Sequence, residues 1–138
     1  MTDAHANPNS AIAGKTTILV VDDEFLLRAM FGDALRDEGY AVIEAVNADE
    51  ALAILRSSIR VDVVLTDLRM PGSMDGLGLV RLIRAEFPFL KVLMLAGQLP
   101  DIATRELLDG YLSKPVTPSQ VRDFVRSVVP VAIQRGPS

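Results

Sequence analysis

Asp22 and Asp23 close the apolar run Ile18, Leu19, Val20 and Val21, and Asp67 closes a second run from Val61 to Thr66. Short apolar runs that end abruptly in acids read as buried parallel strands with carboxylates at their carboxyl ends. In open α/β sheets that edge is where ligands bind. Three carboxylates meeting there would repel one another unless a divalent cation sat among them, so the arrangement asks for Mg²⁺. Lys114, in the stretch Tyr111, Leu112, Ser113, Lys114, Pro115, follows the last strand-like run and brings a positive charge to the same edge. Acids, a hard cation and a lysine together point to phosphoryl chemistry.

The elements that must position these residues alternate between strand and helix signals. After the first strand, Leu27, Met30, Phe31, Ala34 and Leu35 share one helical face, and Gly39 is placed to end that helix. Ala41 to Val46 reads as a second strand. Asn47 with Glu50 resembles a capping box opening a helix through about Ser58. The third strand carries Asp67 at its end, and a loop from Arg69 to Gly76 leads to a helix with Leu79, Val80, Ile83 and Phe87 on its apolar face. Pro88 stops that helix. Lys91 to Ala96 is the fourth strand. Gly97 to Asp109 supports only a short or irregular helix, and Tyr111 to Ser113 is the fifth strand. The last helix has Thr117 as N-cap, Pro118 at its first position, Gln120 completing a capping box, and a stripe of Val121, Phe124, Val125, Val128 and Val129 before Pro130. Five strands alternating with five helices predict a doubly wound α/β fold with a five-stranded parallel sheet. In the order 2-1-3-4-5 the first and third strands are neighbours at the switch point, so Asp22, Asp23 and Asp67 converge.

Composition sets the frame. A chain of 138 residues makes one domain, expected over 16–130, with tails at 1–15 and 131–138. With no Trp and 5% aromatic residues the core should be aliphatic. The absence of cysteine removes disulfides, thiolate catalysis and zinc-thiolate sites, and fits a reducing cytoplasm. No apolar run approaches the roughly 20 residues that span a bilayer. A net charge of −4 argues against sequence-independent binding to nucleic acid, so the expected partner is another protein.

With these residues in place, the chain resembles the receiver domain of two-component response regulators, a flavodoxin-like, CheY-like fold. The matching pieces are Val20 to Glu24, Thr66 to Pro71, Met74 to Gly76 and Tyr111 to Pro115, in order and at similar spacing, from about Thr16 to Val129. The resemblance implies that Asp67 accepts a phosphoryl group from a sensor histidine kinase or phosphotransfer protein, forming an acyl phosphate. It implies that Asp23 ligates Mg²⁺ directly, Asp22 through water or by holding the shell, and Arg69 through its backbone carbonyl. Lys114 would pair with Asp67 and then with the phosphoryl oxygens. The chain would then be a single-domain regulator, not a dedicated enzyme. Its output would pass to an unknown downstream protein, or the phosphate would be handed on. The family's partner surface of fourth helix, fifth strand and fifth helix also offers a homodimer contact.

The resemblance breaks at one position. The family has Ser or Thr at the end of the fourth strand, and here that residue is Ala96. Losing one charge-assisted hydrogen bond to the phosphoryl group costs about 1.5–3 kcal/mol. Tyr111 matches the aromatic switch position but lacks its hydroxyl-bearing partner, and the interval from Ala96 to Lys114 is shorter than usual. Switching is therefore expected to be weak or rewired, with Gln98 as a substitute polar contact. The alternative is a pseudo-receiver, an interaction module that does not use phosphorylation. A Mg²⁺-dependent hydrolase with an aspartyl nucleophile lacks a second acid beside Asp67 and any cap-sized insertion. Each piece alone has a blander reading: the acid pair as a solvated turn, Lys114 and Arg69 as surface charge, Tyr111 as a half-buried aromatic. Met70, Met74 and Met94 read as packing, and His5 as incidental.

Overall fold

The computed structural model describes residues 14–129, so His5, Pro130 and nearly all of both expected tails lie outside the described residues. Five strands alternate with five helices: β1 (Thr17–Val21), α1 (Phe25–Asp37), β2 (Ala41–Ala45), α2 (Ala48–Leu55), β3 (Val63–Asp67), α3 (Gly76–Glu86), β4 (Lys91–Ala96), α4 (Ile102–Arg105), β5 (Gly110–Ser113) and α5 (Pro118–Val128). All strands are parallel, in the expected order β2-β1-β3-β4-β5. Val21 pairs with Thr66, so Asp22, just beyond β1, and Asp67, the last residue of β3, emerge side by side.

Alternation along the strands splits the core into two layers, because successive side chains point to opposite faces. Leu19, Val21, Val64, Val92 and Met94 face α2 and α3, where Leu52, Leu79, Val80 and Ile83 complete one cluster. Ile18, Val20, Leu65, Leu93 and Leu95 face α1 and α5, where Phe31, Leu35, Val121 and Val125 complete the other. The core is aliphatic apart from Phe31. Among the described residues no helix is long and apolar enough to cross a membrane.

Local signals explain most helix ends. Gly39 takes φ +95° just past α1 and donates its N–H to the Arg36 carbonyl, a left-handed stop that glycine adopts without strain. At α5 the full capping box forms: Thr117 Oγ1 accepts from Gln120 N–H at 3.1 Å, and Gln120 Oε1 accepts from Thr117 N–H at 2.8 Å. Three expectations need correcting. In α1, Met30 is 47% exposed and the buried stripe is Arg28, Phe31, Gly32 and Leu35, because a paired guanidinium takes the inward place. In α2 the helix ends at Leu55, short of Ser58. The Ser57 hydroxyl bonds the Ile54 carbonyl and accepts from Ile59 N–H, which competes with further helix. Its start is also modified: Asn47 caps Glu50 N–H, but the Glu50 carboxylate takes Val46 N–H, one residue outside the box.

The expected short fourth helix is a single turn, capped by Asp101. Its surroundings are held by Arg84 of α3. That guanidinium donates to the Leu107 carbonyl at 2.7 Å, the Leu90 carbonyl at 2.6 Å and Asp109 Oδ2 at 2.8 Å. Asp109 in turn accepts from Val92 N–H, which ties the clasp to β4.

Because the α5 box satisfies two otherwise orphaned donors, Thr117→Ala should lower unfolding free energy by about 1 kcal/mol. Urea unfolding should show a lower midpoint with an unchanged m-value.

Candidate functional site

The acids do meet. One carboxylate oxygen from each of Asp22, Asp23 and Asp67 lies within 4.8 Å of the others at the carboxyl edge of β1 and β3. Asp22 is 2% exposed and Asp67 8%, while Asp23 faces solvent. Lys114 comes from the end of β5, and its Nζ sits 3.0 Å from Asp67 Oδ2. Burial pushes the Asp22 carboxyl above its ordinary range. The Glu24 N–H on Asp22 Oδ1 at 2.8 Å opposes that rise, the Asp67 charge adds to it, Lys114 lowers it, and Asp23 raises it again. The site thus concentrates more negative charge than one lysine offsets. Three carboxylates are hard oxygen donors, so the residues present fit a hard divalent cation such as Mg²⁺ better than zinc or copper.

The remaining expected residues fall around this centre. Ala96 ends β4 fully buried, and its side chain is part of the apolar cluster under α2 and α3. Its carbonyl accepts from Lys114 N–H at 2.8 Å, which anchors the lysine's backbone beside the acids. Tyr111 is half-buried, paired in register with Met94 and packed against the apolar cluster under α2 and α3. Arg69 is exposed in the loop after β3, and Gln98 is exposed beyond β4. Met70 and Met94 are buried and Met74 packs on the core, as expected of packing residues.

Three contributors carried no sequence signal of their role. Thr66 is buried and donates its hydroxyl to the Asp67 carbonyl at 2.9 Å. Arg28 donates to the Asp22 carbonyl at 2.9 Å and pairs with Glu44 at 3.1 Å. Gly76, the first residue of α3, donates its N–H to the Leu68 carbonyl. A Cβ there would stand 2.1 Å from the Asp67 carbonyl oxygen and 2.9 Å from Leu68 Cα. Only glycine admits so close a backbone approach, and the cap Asp75, accepting from Gly78 N–H at 3.0 Å, fixes the helix start that creates it.

Comparison with known proteins gives a consistent outcome. Residues 18–126 match the family described as the response regulator receiver domain. Sporulation initiation phosphotransferase F of Bacillus subtilis is 30% identical over 118 residues, which cover 83% of this chain and 94% of that protein. Sensor kinase CckA of Brucella abortus is 34% identical over 123 residues; the match takes in 86% of this chain but spans only 13% of that protein. Among solved structures, response regulator protein TrrA of Thermotoga maritima, in complex with Mg²⁺ and BeF, superposes with TM-score 0.75 at 29% identity. That superposition covers 83% of this chain and 99% of the other.

Since a Cβ at position 76 would press on backbone that cannot swing aside, Gly76→Ala should cost about 2–3 kcal/mol. The same variant should shift the amide resonances of Asp67 and Leu68, and an unperturbed spectrum at those positions would refute the close approach.

Proposed function

The chain belongs to the response regulator receiver domain family, and from that premise we propose that Asp67 accepts a phosphoryl group from a sensor histidine kinase or a phosphotransfer protein. The observation that carries this reading is the convergence of three carboxylates within 4.8 Å, with Lys114 3.0 Å from the one that would react. An Asp67 carboxylate oxygen attacks phosphorus, the bond from phosphorus to the donor nitrogen breaks, and the leaving imidazole keeps the electron pair. The product is an acyl phosphate. Lys114 holds Asp67 before transfer and pairs with phosphoryl oxygens after it. Asp23 and Asp67 would hold Mg²⁺, with the Arg69 backbone carbonyl as a further ligand and buried Asp22 acting through water or by holding the shell. A bound Mg²⁺ would neutralise the crowded carboxylates and screen the charge on the phosphoryl oxygens. Most of the work is positioning, which a small domain can do.

Output passes to another protein through the α4–β5–α5 face, where Ile102 and the nearby Leu99 are exposed, or the phosphate is passed on. The same face serves a homodimer as an alternative. The receiver occupies 16–130, in the cytoplasm. Ala96 favours a second reading, a pseudo-receiver in which phosphorylation carries little or no signal, because its buried methyl offers no hydroxyl to a phosphoryl group.

Wild type and Asp67→Asn, each incubated with Mg²⁺ and a small phosphodonor, should differ in intact mass by one phosphate. No addition to wild type, where a control receiver is labelled, overturns the phosphoacceptor reading. In a second measurement, a phosphoryl analogue should shift amides around Asp67 more than those around Tyr111 and α5. Equal shifts at both places would rule out weak switching.

A further inference from the structure

We propose that Arg28 is a positioning residue for the cation site: through its pair with Glu44 it fixes the turn that presents Asp22 and Asp23. This rests on the Mg²⁺ reading above. Arg28 is 9% exposed, the one basic side chain among the described residues in the buried class. A buried guanidinium is costly unless paired and hydrogen-bonded, and here both conditions are met. Its Nη1 donates to the Asp22 carbonyl at 2.9 Å, its Nε donates to Glu44 Oε1 at 3.1 Å, and its Cζ lies 5.5 Å from the Phe25 ring centroid.

The consequence falls on Asp22. Its N–H is held by the Ala45 carbonyl at 3.1 Å, its carbonyl by Arg28, and its Oδ1 by Glu24 N–H. Ala45 and Glu44 are adjacent at the end of β2, so one strand end grips the acid turn from both sides of its backbone, directly and through Arg28. Asp23 makes no hydrogen bond or ion pair of its own among the described residues. The turn alone brings its carboxylate into the cluster.

Charge and geometry make opposite forecasts, which lets one variant separate them. If Arg28 acted only as a nearby positive charge, its removal would tighten binding of a divalent cation. If it positions the turn, its removal weakens binding even though a repulsive charge is gone.

The experiment titrates the full chain with Mg²⁺ alone and follows binding heat and amide shifts. Arg28→Ala should bind about tenfold or more weakly, and Arg28→Lys should recover only part of the loss, since an ammonium lacks the two-armed fork. Arg36→Ala removes the other cation on Glu44, a half-exposed one, and should stay within about twofold of wild type. Val125→Ala, a core variant in α5, reports what general destabilisation alone does to affinity. Unchanged or tighter binding by Arg28→Ala, or an equal loss in Val125→Ala, overturns the proposal. Should Arg28→Ala not fold, Arg28→Lys binding like wild type overturns it. A wild type that binds no Mg²⁺ overturns the underlying cation reading and this proposal with it, a result distinct from the others.

Discussion

Three carboxylates confined within 4.8 Å of one another repel, and the architecture around them exists to hold them there regardless. At an effective dielectric of about 20, two unit charges at that separation repel by about 3 kcal/mol, and by less where Asp23 meets water. A folded chain of ordinary stability does not carry such a penalty without offsetting contacts. Lys114 supplies part of the offset from β5, and the Glu24 N–H on Asp22 Oδ1 supplies another.

Those offsets come from widely separated parts of the chain. The sheet order puts β1 against β3, Gly76 lets α3 begin in contact with the Asp67 backbone, and the Ala96 carbonyl holds the lysine's backbone. Ala96 thus serves this edge through its backbone alone, since its side chain brings only a methyl.

What was legible in the sequence is what depends on near neighbours. The five strands, to within a residue or two at their ends, and the α5 capping box follow from short-range patterns, and the strand order is the one the doubly wound fold implied. Met30 was placed inward and Arg28 passed over because an apolar stripe read from residue types cannot anticipate a basic side chain whose partner, Glu44, lies on β2. The early end of α2 turned on a single serine hydroxyl. Gly76 escaped because its φ is ordinary and the need for glycine arises only when α3 meets β3. The acids and Lys114 were found and Arg28 and Gly76 were not, since the first show themselves by spacing and the second only by contact.

Arg84 has a consequence for how this molecule breathes. One turn of helix has too few internal hydrogen bonds to persist alone, so α4 owes its shape to what surrounds it. The α3 guanidinium binds carbonyls on both sides of that turn and, through Asp109, an amide of β4. The segment from Leu107 to Asp109 cannot part from the end of α3 without breaking the bonds that Arg84 makes. A displacement of that segment is thereby transmitted to α3 and, through Asp109, to β4.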